Sequence, residues 1–433
     1  MKRILMEEYH IDQLPNGIRL VTVPMPHQHA VELVCYLAVG GRCEPLEYAG
    51  ISHFLEHMLF RGTAEFANST ELERAFEEIG GAVNASTDVE TTCFHSRIHP
   101  DYIERGVGLF ASMIRRPCFN DMDTERRIIL EEAREDFNEC GEQINLDNLM
   151  VDLLWPEHPL GASLIGSPQT LNAIGRQQLE AYYHDWYHPA NLVICACGAV
   201  DPALLRRAAE QEFGDWERRP LLAVSPLAES QQWVPRSRWV QDSDSQISFQ
   251  LAFRLPGRGD ERTMAIRLLR RILGWGAGAR LPLRLREELG LTYSVDVSCL
   301  MLDDTGYLAI DTAVAPGNLC AAVEEILTVL QRLREVPLTS DELATAVRTY
   351  LFDLDFSRDQ SESLAVRYGW GLQAGYLRTL EQDRRELLAL TPDYLREVMQ
   401  DVLTPAVMNL AVVGPWTEKE CHQIERLLHV SPL

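Results

Sequence analysis

VELVCYL, residues 31–37, recurs 216 residues later as ISFQLAF, residues 247–253. Both are apolar runs of strand length, bearing β-branched and aromatic side chains. The same shift carries Pro189 onto Pro405 and Gly198 onto Gly414. One offset that satisfies an apolar pattern, a proline and a glycine is stronger evidence of repetition than any single match. The chain therefore reads as two homologous domains, residues 1–217 and 237–433, joined by a proline-bearing linker at 218–236. In the first copy, residues 18–25, 31–40 and 190–200 read as strands and 83–98 as a strand or hairpin. Residues 51–62, 69–81, 101–115, 121–140 and 176–187 read as helices. The expected fold class is α+β, with a mixed sheet and helices in each domain.

The two copies differ at one place. The first carries HFLEHMLF at 53–60, where the second has RILGWGAGARLPLRL at 271–285, without histidine. At about 100° per residue, His53 and His57 stand one turn apart on one helical face. Glu56 falls between them on the same side. Phe54, Leu55, Met58, Leu59 and Phe60 take the rest of the circumference, so this helix is expected to be buried. A plain solvated stripe would not sit among so many large apolar residues. Buried polar groups without partners cost several kcal/mol. A metal ion removes that penalty for imidazoles at i and i+4. HDWYH at 184–188 repeats the histidine spacing, but it lacks the glutamate and runs into Pro189. It reads as a helix end, and His95, His99 and His158 as ordinary histidines.

Bulk properties narrow the function. The chain has 433 residues, 46% of them hydrophobic and 24% charged, which is usual for a globular protein. No apolar run reaches the ~18 residues of a membrane span. The formal net charge of −24 argues against nucleic acid as a partner. The opening MKRILMEEYHIDQLPNG has no apolar core of signal-peptide length. The ten cysteines form no CxxC pair. A cytoplasmic protein with free thiols is expected.

Two imidazoles are too few for a catalytic zinc, which takes three protein ligands. The candidate third segment is ERRIILEEARED from Glu125, where Glu125 and Glu132 are seven apart and share a helical face. HFLEH is the H-x-x-E-H inverzincin signature. With it, the chain resembles the pitrilysin family of zinc peptidases, relatives of insulin-degrading enzyme and mitochondrial processing peptidase, in a short two-domain form. The segments GGRCEP (40–45), GISHFLEHMLFRGT (50–63), GGAVNAST (80–87), HPLGASLIGSP (158–168), YHPANLVICACG (187–198) and RLREELGLTYS (284–294) follow the family pattern in order. Ser86 departs from it, since many relatives carry tyrosine there, which bears on the shape of the substrate cleft.

The resemblance implies roles residue by residue. His53, His57 and Glu132 would hold one Zn²⁺ per chain, with Glu131 as the rival third ligand. Glu125 would orient a ligand histidine through its other ring nitrogen. Glu56 would act as general base on the water that the zinc activates, then as proton donor to the leaving amine. Tyr293 would donate to the developing oxyanion and Arg286 would bind a substrate carbonyl. Asn84 and Ala85 match positions that hydrogen-bond extended substrate. The implied function is a zinc endopeptidase acting on short or unfolded peptides inside a chamber formed by two chains, a homodimer or a heterodimer with a related chain. Two alternatives share the fold: a peptidase dedicated to one leader or modified precursor, and a non-catalytic subunit.

Overall fold

The computed structural model describes residues 9–224 and 232–430. Part of the expected linker, 225–231, lies outside the described residues, and Arg236 already opens a strand.

The repeat is visible strand by strand. The first sheet contains β1 (His10–Gln13), β2 (Arg19–Pro24), β3 (Val31–Leu37), β4 (Val83–Thr87), β5 (Thr92–Ile98) and β6 (Leu192–Gly198), in the order β1-β2-β6-β3-β5-β4. The second contains β7 (Arg236–Gln241), β8 (Ile247–Pro256), β9 (Thr292–Met301), β10 (Thr305–Val314) and β11 (Met408–Gly414), in the order β7-β11-β8-β10-β9. Apart from β1, the two orders are the same. In each, one pair is parallel (β2 with β6, β7 with β11) and the remaining pairs of this common core are antiparallel.

The matched glycines have a physical reason. Gly198 has φ +140 and Gly414 has φ +134. A Cβ on Gly198 would lie 2.2 Å from the Ala30 carbonyl oxygen; one on Gly414 would lie 2.6 Å from that of Gln246. Ala30 and Gln246 are themselves 216 apart. Each glycine closes its strand against the residue just before the neighbouring one, where no side chain fits.

The first copy's helices begin with α1 (Ile51–Leu59), α2 (Ser69–Glu77), α3 (Ile103–Arg115) and α4 (Met122–Arg134). The α4 helix stops at Arg134, short of the expected residue 140. Beyond it Phe137 bridges Gln143, and Asp136 accepts from the Asn145 and Asn148 side chains. That packing draws the chain out of the helix and into α5 (Leu146–Leu154).

The compact units do not follow the contiguous division at 218–236. One gathers the chain up to Arg134, the stretch from Ala162 and the segment Asp355–Thr379. The other gathers Glu135–Gly161, the stretch through Leu354 and the chain from Leu380. Each sheet thus receives a cover from the other half of the sequence. In the first unit, Ser361–Ala365 and the π-helical turn Val366–Trp370 lie on β6 and β3. Arg19 fastens this cover by donating to the Leu372 carbonyl at 3.1 Å and to the Gln373 side chain. Tyr368 is fully buried and stacks on Tyr9 at 4.5 Å. In the second unit, α5 lies on β11, β8 and β7, and Arg236 donates to the Leu153 carbonyl at 2.7 Å.

This exchange explains the continuous apolar runs. All seven residues of β3, of β6 and of β11 are buried. A sheet with one open face alternates; one covered on both faces does not. No described helix is long and apolar enough to cross a membrane.

Candidate metal centre

Helix α1 buries Phe54, Leu55, Met58 and Leu59 completely. Its apolar residues anchor it so firmly that the polar face has one available direction. On that face the Nε2 atoms of His53 and His57 are 3.2 Å apart. Two ligands of a tetrahedral zinc with bonds of about 2.0–2.1 Å stand about 3.3 Å apart. Glu132, on α4, brings Oε1 to 3.8 Å from His53 Nε2. His53, His57 and Glu132 form the one group of three such donors, all within 4.8 Å of one another, among the described residues. The donor set and spacing fit zinc. Glu131 does not join them: it pairs with Arg134 at 2.6 Å and points to solvent.

The ring state of His53 suits ligation. Burial pushes His53 down to about 4, with His57 beside it acting the same way, so the ring is neutral at neutral pH. The Nδ1 atom of His57 lies 2.7 Å from Glu125 Oε1, an arrangement in which Nδ1–H donates and the Nε2 lone pair faces the site. Burial alone would lower His57, but the Glu125 hydrogen bond and charge outweigh it and raise its pKa. Glu125 is buried and accepts from Arg61 Nε as well. Burial would raise its carboxyl, yet His57 and Arg61 together hold it below the ordinary range.

Glu56 is 8% exposed on the same face. Burial raises its pKa, opposed by Thr87, whose hydroxyl donates to Glu56 Oε2 at 2.6 Å. One carboxylate oxygen is thereby held by the protein, and the orientation of the pair is set.

Asn84 and Ala85 lie on β4, the terminal strand of the first sheet, whose outer edge pairs with no described strand. Arg286 and Tyr293 belong to the second unit. Arg286 sits on the π-helical turn Pro282–Glu288, with its guanidinium 5.5 Å from the centre of the Tyr293 ring. Tyr293, at the start of edge strand β9, is 83% exposed. His95, His99 and His158 have local partners instead. His95 faces Glu32 at 3.3 Å, Asp101 N–H donates to His99, and Leu160 N–H donates to His158.

Arg61 and Thr87 were not singled out from sequence. Arg61 lies just past the end of α1 and reaches Glu125 on α4, a contact that no helical spacing marks. Thr87 contacts Glu56 across 31 positions, and nothing in the sequence marks that contact.

Two family models match the chain: "Insulinase (Peptidase family M16)" over residues 19–167 and "Peptidase M16 inactive domain" over 173–350. The chain belongs to the M16 peptidase family. The metal group and Glu56 lie in the part that matches the insulinase model, and the metal-free repeat supplies much of the part that matches the inactive domain. This M16 chain is 30% identical, over 413 residues, to a Mycobacterium tuberculosis protein named as an uncharacterized zinc protease, covering 94% of this chain and 93% of the relative. Its fold is similar to that of a protease from Helicobacter pylori, with a TM-score of 0.87 at 20% identity, covering 94% of this chain and 99% of the other. It is also similar to the periplasmic protease PqqL of Escherichia coli, with a TM-score of 0.79 at 19% identity. There it covers 99% of this chain but 51% of PqqL.

Proposed function

We propose that this M16 chain is a zinc-dependent endopeptidase acting on short or unfolded peptides. The observation that carries the reading is Glu56: a buried carboxylate beside three convergent metal donors, with one oxygen already held by Thr87. His53, His57 and Glu132 would hold the zinc, which would supply Lewis-acid chemistry and lower the pKa of a water towards neutrality. Glu56 takes the proton of the attacking water through its other oxygen. It then hands that proton to the departing amine as the C–N bond breaks. The outer edge of β4, unpaired among the described strands, supports strand addition by an extended peptide along Asn84 and Ala85. A chelator experiment tests this. A mixed peptide library incubated with the purified chain should show new termini by mass spectrometry, and these should vanish with chelator and return with zinc. Cleavage that is indifferent to chelation would sink the reading.

The reading extends to a pair of chains that close one chamber. Supporting it, the chain matches 51% of the longer PqqL. Arg286 and Tyr293 would then be supplied by the partner chain, each chain contributing once to each of two sites. Mixing Glu56→Gln with Tyr293→Phe chains checks this. Each parent should be nearly inactive, and random exchange should restore about a quarter of all sites, as a symmetric dimer requires. No recovery, with exchange shown independently, rules out supply in trans. A peptidase dedicated to one leader or modified precursor uses the same chemistry. The peptide library separates the two, because such an enzyme would leave most of the library uncut.

A further inference from the structure

Helix α1 begins without a cap of its own. Its N-cap residue is Gly50, at φ +95, which has no side chain to satisfy the first amides. A Cβ there would lie 2.4 Å from the Ile165 carbonyl oxygen, so no conventional capping residue fits. Glu44, six residues upstream, does the work. Its Oε2 accepts from Gly50 N–H at 2.7 Å and its Oε1 from Ser52 N–H at 2.8 Å. Ser52 is held in turn, with its hydroxyl 2.8 Å from that of Tyr182. All three side chains are buried.

The loop that carries Glu44 is fastened at its other end. Gly41 N–H donates to the Asp88 carbonyl at 3.3 Å and Arg42 N–H to that of Val89 at 2.8 Å. The Arg42 guanidinium meets Glu90 at 2.7 Å. A Cβ on Gly40 would lie 2.0 Å from the Asp88 carbonyl oxygen, so the two loops touch backbone to backbone. Asp88 follows Thr87, which holds Glu56. Residues 40–44 thus join the first turn of the histidine helix to the turn that orients the general base.

We propose that Glu44 is a positioning residue for the metal centre, holding the first turn of α1 so that His53 meets His57 and Glu132 at ligand distance. The inference rests on the zinc-site reading above. His53 lies three residues after Gly50, within the turn whose amides Glu44 holds. Without that hold the turn frays, and one of three ligands drifts. Burial pushes the Glu44 carboxyl up to about 7, against the pull of its two amide donors.

The test measures Zn²⁺ affinity by chelator competition on the folded full chain, for wild type, Glu44→Ala, Glu44→Gln and a control, Phe213→Leu. Phe213 is fully buried in the helix Pro202–Phe213, which packs on α3 and β2. Glu44→Ala should bind zinc about 10–100-fold more weakly, as losses in the shell behind a ligand do. Glu44→Gln keeps one acceptor and should fall between. The absorption bands of Co²⁺-loaded chains should change with both Glu44 variants. Phe213→Leu should unfold at lower temperature yet bind zinc as wild type does. Folded Glu44→Ala with wild-type affinity overturns the proposal; if that variant does not fold, an unchanged Glu44→Gln overturns it. A wild-type chain that takes up no zinc would overturn the metal centre itself, and the positioning role with it.

Discussion

Glu56→Gln chains should hold zinc as wild type does and cleave peptides about 10²–10⁴-fold more slowly, the range that a general acid–base contributes. Glutamine preserves shape, and its carbonyl can still accept from the Thr87 hydroxyl, which lies 2.6 Å from Glu56 Oε2. It cannot take up a proton. Zinc content by atomic absorption and turnover on a fluorogenic peptide separate the two effects. Glu132→Ala should do the reverse and lose most of the zinc, because two imidazoles 3.2 Å apart remain and the third donor is gone. Turnover of Glu56→Gln within tenfold of wild type would remove Glu56 from the chemistry. Full zinc retention by Glu132→Ala would remove the carboxylate from the ligand set. The nearby substitutes are committed elsewhere: Glu131 pairs with Arg134, and Glu125 with His57 and Arg61.

Residues 1–217 and 237–433, produced separately, should each fail to give a cooperative unfolding transition. Co-produced, they should copurify and bind zinc. Alone, the first fragment lacks Tyr368 and its neighbours and exposes one face of β3 and β6, strands buried along their whole length. It also carries α5, with Leu149, Met150 and Leu154, away from the sheet they cover. Each such side chain contributes about 1.5–3 kcal/mol when buried. A domain's net stability is only about 5–15 kcal/mol, so losing several at once is enough to unfold it. Calorimetry and far-UV circular dichroism check this. A lone 1–217 fragment that melts cooperatively and binds zinc would show that the exchanged segments are dispensable.

Legibility varied with the range of the interaction. The histidine helix was legible because its evidence is local: two imidazoles and a carboxylate on one face of an apolar helix that ends at Leu59. The third donor was legible only in part. Helical spacing placed Glu125 and Glu132 on one face, but Glu131 lost its candidacy through an ion pair that a sequence does not display. The end of α4 was overestimated by six residues, because the contacts of Asp136 with Asn145 and Asn148 lie beyond any helical repeat. Glu44 stood in a quoted motif without a role, since capping from six residues upstream of an N-cap glycine has no spacing rule.

The sequence by itself determined the repeat, the strand cores and the placing of the metal donors in the first copy alone. Periodicity and a constant offset are properties of the chain, set by which side chains face a core and where a glycine must stand. Tertiary structure decided which half covers which sheet, which edge is left free at β4, and which residues steady the reacting groups. Those outcomes depend on contacts such as Arg19 with Leu372 and Thr87 with Glu56, 353 and 31 positions apart. Such pairings form only once the chain is folded, when burial makes an unpaired polar group costly.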